Sequence, residues 1–260
     1  MTQFATAKDG VEIAYEVVGE GLQTVMLVHG FASDRKQNWK IPGWYDTLSG
    51  AGYRVVALDN RGHGESDKPY DPASYSHEIM SDDVLAVMAD ADLGEALLMG
   101  YSMGGYISMS LLLRHPERFS KVVIAGVGAS YLDINAAEGA VADPQRRSAV
   151  ADALLVDDPS TITNRTAREF RAFADQAGKD RKALAACMRG SRDVFTREQL
   201  AHSQRPVLVV CGEKDVLTGP PDPLAAAFAD GRAVTVPNRD HMTAVGDKVY
   251  KAAVLEFFKE

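Results

Sequence analysis

Three short stretches carry side chains that could do chemistry together. "GYSMG" at 100–104 holds Ser102 between two glycines, "GEKD" at 212–215 ends on Asp215, and "DHM" at 240–242 centres on His241. A serine hydroxyl attacks a carbonyl carbon only when a base takes its proton, and the base needs an acid to orient it. Serine, then acid, then histidine is one of the chain orders in which such a triad occurs. Chance alone supplies Gly-x-Ser-x-Gly about 0.1 times in a chain with this much glycine and serine, so the setting decides its meaning. Here an uncharged, strand-like run ends at Gly100 and a helix-like run begins near Met103. The turn between them would expose Ser102 at the end of a strand. Side chains at Gly100 and Gly104 would clash where the chain returns on itself. The competing reading is a serine that merely caps a helix.

The other members of the set follow by comparison. Of the six histidines, His241 lies in a loop between the last strand-like run and the final helix-like run. His29 ends a strand, His63 sits in "DNRGHGESD", His115 caps a helix end before Pro116, and His77 and His202 have no chemical context. Glu213 and Asp215 both follow a strand end, and Asp215 reaches farther into its loop. Asp240 adjoins His241, but neighbouring side chains rarely face each other. The triad expected is therefore Ser102, Asp215 and His241. An oxyanion needs two donors. The Met103 N–H at the helix start is one. The Phe31 N–H in "LVHGFASD", next to a permissive Gly30, is the other.

These residues need a rigid frame, and the runs around them describe one. Residues 24–30, 53–59, 95–100, 121–126 and 206–212 are apolar almost throughout, as in parallel strands covered on both faces. Residues 232–237 form a shorter run, and "QFAT" with residues 11–19 reads as an N-terminal hairpin. Helix-like segments lie between the strands. Residues 76–94 place Ile79, Val84, Val87 and Met88 near helical spacing, with Gly94 as the stop. The last helix is expected to turn Val249, Ala252, Ala253 and Phe257 inward. This alternation predicts a doubly wound α/β domain. It fails over 130–205, which is rich in Ala, Arg, Asp and Glu and reads as helices inserted after the sixth strand. The domain boundaries expected are 1–129 with 206–260 for the core and 130–205 for the insertion.

Composition bounds the function. A chain of 260 residues can bury about three quarters of its unfolded surface without covalent staples. A net charge of −8 and the lack of a basic stripe argue against nucleic acid. Two cysteines, Cys187 and Cys211, read as buried thiols. The N-terminus has no basic start followed by an apolar run, so a cytoplasmic location is expected. Residues 96–113 are uncharged, but their glycines weaken a continuous helix, and no membrane span is expected. The partner expected is a small ester, with no metal and no cofactor. Oligomeric state is left open.

With "VHGF" at 28–31, "LDNRGHGES" at 58–66, "GYSMGG" at 100–105, "GEKD" and "DHM", the chain resembles the α/β-hydrolase superfamily across nearly its whole length. The resemblance implies an eight-stranded, mostly parallel sheet whose first pair is antiparallel. It also implies a helical cap at 130–205 and a bracing role for Asn60, Arg61 and His63. Relatives with aspartate at the elbow, haloalkane dehalogenases and epoxide hydrolases, are excluded by Ser102. Esterases, lactonases, thioesterases, carbon–carbon bond hydrolases and perhydrolases remain. The leading expectation is a carboxylic-ester hydrolase. An enol-lactonase or carbon–carbon bond hydrolase is the alternative; Arg165, Arg168 and Arg171 share a helix face that could meet its anionic substrate, though a solvated helix face is the favoured reading of the three. A slow-turnover ligand receptor is a third reading. Phe170, Phe173, Leu184, Met188 and Phe195 could line a pocket or pack the insertion.

Overall fold

A computed structural model describes residues 1–133, 143–176 and 179–260. Eight strands form one sheet: β1 (Gln3–Thr6), β2 (Glu12–Val18), β3 (Thr24–Val28), β4 (Arg54–Leu58), β5 (Ala96–Tyr101), β6 (Phe119–Ala125), β7 (Val207–Gly212) and β8 (Gly231–Val236). Their order is β1-β2-β4-β3-β5-β6-β7-β8. β2 runs antiparallel to both β1 and β4, and the other pairings are parallel. The expected eight-stranded, mostly parallel α/β-hydrolase fold is thus what the chain adopts.

Period-2 alternation explains why the central strands are apolar at every position. Met26 and Val28 on β3 join one cluster with Val84, Met88, Met109 and Leu112. Val25 and Leu27 join the other with Trp44, Leu48, Tyr250, Val254 and Phe257. A strand between two helix layers has no solvent face, so neither side chain set can be polar. The helices α2 (His77–Asp90) and α3 (Met103–Arg114) supply the first layer. The helices α1 (Trp44–Gly50) and α9 (Lys248–Lys259) supply the second.

Two helix details differ from expectation. α2 ends at Asp90 with Ala91 as its C-cap, and Asp92 takes the left-handed turn at φ 54° instead of Gly94. Aspartate tolerates that conformation because its short polar side chain bonds locally. Within α2, Met80 is buried and Ile79 only half-buried. On α9 the buried face is Tyr250, Val254, Phe257 and Phe258, while Val249 is exposed. The spacing was right and the phase wrong, because Tyr250 and Phe258 outweigh alanines in apolar area.

Between β6 and β7 lie α4 (Pro144–Leu155), α5 (Arg165–Ala174), α6 (Arg181–Arg189) and α7 (Arg197–Ala201). No strand interrupts them among the described residues; 134–142 of the expected insertion lie outside those residues. A short α8 (Asp222–Ala225) follows β7. No helix among the described residues is long and apolar enough to cross a membrane. Both cysteines are buried and unpaired.

The strand order turns back at β3, with β4 on one side and β5 on the other. In open parallel sheets the loops at such a switch point diverge and leave a crevice at the strands' carboxyl ends. The loops after β3 and β5 carry Phe31 and Ser102. A buried ion pair braces the loop after β4: Arg61 Nε and Nη2 donate to the two oxygens of Asp83 on α2 at 2.7 and 2.6 Å. Removing one partner leaves a buried charge uncompensated. Asp83→Ala is expected to lower stability by about 3–5 kcal/mol, read as a shifted denaturant midpoint at unchanged slope. A loss near zero would show that Asp9, which also meets Arg61 at 2.7 Å, suffices.

Candidate active site

Ser102 stands between β5 and α3 with φ 54° and ψ −115°. A non-glycine residue there is strained. Its N–H donates to Ala125 O at 2.7 Å, which fastens the turn to β6. Space explains the flanking glycines. A Cβ on Gly100 would meet Gly104 O and Ser108 Oγ, and one on Gly104 would meet Val28 O. The elbow can therefore press against β3 only with hydrogen at both positions. Ser102 makes no side-chain capping bond, which removes the helix-cap reading.

The hydroxyl instead lies 3.0 Å from His241 Nε2, and His241 Nδ1 lies 2.8 Å from Asp215 Oδ2. A carboxylate only accepts, so Nδ1 carries the proton and Nε2 is free to accept from Ser102. The other Asp215 oxygen accepts from the N–H groups of Leu217 and Thr218 at 3.0 and 3.1 Å. Tyr101 donates its hydroxyl to His241 O at 2.5 Å and sets its ring against the imidazole. Gly126 leaves the imidazole room: a Cβ there would sit 3.1 Å from His241 Cε1. Two rejected acids have other duties. Glu213 accepts from Asn238 N–H, and Asp240 accepts from Met242 and Thr243.

The second loop is held just as closely. His29 Nδ1 donates to Gly30 O, and its Nε2 accepts from Asn60 N–H, while the Asn60 amide donates to His29 O at 3.0 Å. Gly30 lies so near the elbow that a Cβ would be 3.2 Å from Ser102 Cβ. Phe31 and Met103 thus flank Ser102. Among the described residues, neither backbone N–H has a partner. Asn60, Arg61 and His63 are buried and bonded within this loop system, as the resemblance implied.

Burial and charge tune the histidines differently. Burial disfavours the imidazolium at His241, but the charge and hydrogen bond of Asp215 outweigh it and raise its pKa above the ordinary value. Burial works against Asp215 as a carboxylate too, and His241, Thr218 and Leu217 still hold its pKa below the usual range. Burial pushes His63 down to about 3 and lowers His29. At His29 the charge of the buried Asp59 pulls the other way without offsetting burial.

Beside Ser102 lies a cavity of about 180 Å³, lined by Phe31, Met103, Phe170 and Met188 together with the polar residues His77, Arg147 and Arg192. Of the ambiguous aromatic and aliphatic residues in the insertion, Phe170 and Met188 line this space, while Phe173 and Phe195 pack against the core and Leu184 lies within it. Arg165, Arg168 and Arg171 do not line it. Arg171 is buried and donates to Ala153 O, Val156 O and Asp175; Arg165 is exposed and bonds Glu169; Arg168 is exposed. His77, Arg147 and Arg192 had no periodic or motif signal, because each reaches the cavity from a different element.

With this geometry, similarity to known proteins can be weighed. The family model described as alpha/beta hydrolase fold matches residues 23–243, from just before β3 to just after His241. The chain belongs to the alpha/beta hydrolase fold family. Among curated members, it is 31% identical over 88% of its length to the dihydrolipoyllysine-residue acetyltransferase component of the acetoin cleaving system of Pseudomonas putida. It is 28% identical over 64% of its length to 3-oxoadipate enol-lactonase 2 of Acinetobacter baylyi. It spans 61% and 63% of those two proteins. A solved hydrolase from Pseudomonas aeruginosa superposes with a TM-score of 0.80 at 26% identity, covering 100% of this chain and 98% of that one. Family membership therefore accounts for the frame, while the members' names span different chemistries.

The environment of His241 sets a measurable expectation. Its imidazole should titrate above the ordinary histidine value, and Asp215→Asn should lower that midpoint, because burial then faces only the weaker pull of Asp240. Proton NMR of the His241 ring reads both. An unchanged midpoint in Asp215→Asn would show that Asp215 does not control the base.

Proposed function

We propose that the protein is a serine hydrolase that cleaves carboxylic esters with small or medium acyl or aryl groups. The observation that carries this reading is the hydrogen-bonded relay from Ser102 through His241 to Asp215. His241 takes the Ser102 proton as the oxygen attacks the ester carbonyl. Asp215 stabilises the resulting imidazolium. The Phe31 and Met103 N–H groups donate to the carbonyl oxygen as negative charge develops on it. The imidazolium then protonates the departing alkoxide, leaving an acyl-Ser102 ester. Water, deprotonated by His241, releases the acid and restores the serine.

Segment 130–205 acts in this reading as a cap that selects the groups reaching Ser102. The positions of Phe170 and Met188 beside the serine support that role.

A fluorophosphonate probe should label Ser102, and Ser102→Ala should lose both labelling and hydrolysis of 4-nitrophenyl butyrate. Asp215→Asn should lower kcat by up to about 10⁴-fold. Activity should fall as pH drops through the raised pKa of His241, since the base must be neutral to accept a proton. Near-native turnover by Ser102→Ala would sink the proposal.

A further inference from the structure

Among the described residues, the cavity beside Ser102 is lined by two guanidinium groups and no carboxylate free to answer them. Arg147 comes from α4 and Arg192 from the link between α6 and α7. Asp193 also lines the cavity, but its carboxylate pairs with Arg114 at 2.8 Å. Arg192 is held in place by carbonyl groups, donating to Tyr75 O at 2.9 Å and Cys187 O at 2.6 Å. Those bonds orient its charge without neutralising it. Among the described residues, the Arg147 side chain has no hydrogen bond and no ion pair, and its Nε is buried without a partner. Burial and the neighbouring Arg192 both press its pKa below the ordinary value.

His77 adds a third unanswered donor. It is 1% exposed, lines the same cavity, and accepts from Asp193 N–H through Nδ1 at 3.2 Å. Its proton therefore sits on Nε2, which is buried with no partner. Burial and the surrounding arginines keep the ring neutral, so it donates without adding charge. A buried donor without an acceptor is costly, and two like charges held in one cavity are costlier. A bound acceptor of negative charge removes both costs at once. A carboxylate fits best, having only acceptor sites and a planar edge that guanidinium groups grip. The apolar lining of the same cavity, Phe31, Met103 and Phe170, suits a short apolar spacer.

The geometry points to a substrate class: esters or lactones that carry a free carboxylate, seated on Arg147, Arg192 and His77 while the reacting carbonyl lies at Ser102. This rests on the ester-hydrolase reading above. It concerns recognition of the far end of the substrate, and Ser102 chemistry is unaltered by it.

The test compares the mono-4-nitrophenyl ester of glutaric acid with its methyl ester and with 4-nitrophenyl valerate. The wild type should favour the free acid in kcat/KM by roughly ten- to a hundredfold, and Arg147→Gln should bring that ratio toward one. Arg147→Lys, which keeps the charge, should restore part of it. A second readout avoids turnover: Ser102→Ala is titrated with glutarate and with butyrate by calorimetry. Saturable binding of glutarate alone, lost on adding Arg147→Gln, supports the site even if no ester is hydrolysed, in which case only the ester-hydrolase reading falls. Equal rates on free acid and methyl ester, or glutarate binding that is absent or indifferent to Arg147→Gln, would overturn the assignment.

Discussion

Ser102 is held at φ 54° and ψ −115°, and most of the central architecture serves to keep it there. Such a conformation costs on the order of 1–3 kcal/mol. It persists because the turn is tied to β6 through the Ser102 N–H and wedged against β3 through the bare Cα of Gly104. Both neighbours are strands buried on two faces, which cannot yield without opening the core. The strain does something useful. It turns the hydroxyl away from its own helix, where it would cap, and toward His241 from the far end of the chain. The same close approach brings Gly30 against the elbow, and among the described residues the Phe31 and Met103 N–H groups beside the serine have no partner.

The histidines show how burial becomes specific only through its partners. His29, His63, His77 and His241 are all buried. For three of them desolvation wins, and the ring is neutral. At His241 a buried carboxylate reverses the outcome. A group that can be neutral at rest and charged in passing is what proton transfer needs. Asp215 in turn depends on the N–H groups of Leu217 and Thr218 just past β7, so the pKa of a histidine is set by the turn that follows a strand.

Legibility in the sequence followed the range of the interactions. Strand positions and their two-sided burial were readable because each depends on a run of five to seven neighbouring residues. The elbow was readable because glycine is required at close backbone contact. Asp215 was separable from Glu213 by loop position and from Asp240 by that residue's adjacency to His241; all three accept from backbone N–H groups, and Asp215 is the one that meets His241 Nδ1. The phase of α9 is set by Tyr250 and Phe258, whose apolar area exceeds that of Ala252 and Ala253. Spacing along α5 puts Arg165, Arg168 and Arg171 on one face but says nothing of what each meets. Arg171 instead ties α5 to the end of α4.

Local sequence therefore determined the fold class, the serine elbow and the order of serine, acid and histidine, since these depend on periodicity and on glycine at fixed offsets. Tertiary structure alone decided which side chains face Ser102 across open space. His77 begins α2, Arg147 lies on α4 and Arg192 follows α6, and nothing in their own neighbourhoods marks them. They become neighbours because the helices between β6 and β7 pack back over the carboxyl ends of the strands. Contacts between elements far apart in the chain leave no periodic trace in any one of them, and the cavity beside the serine is made of such contacts.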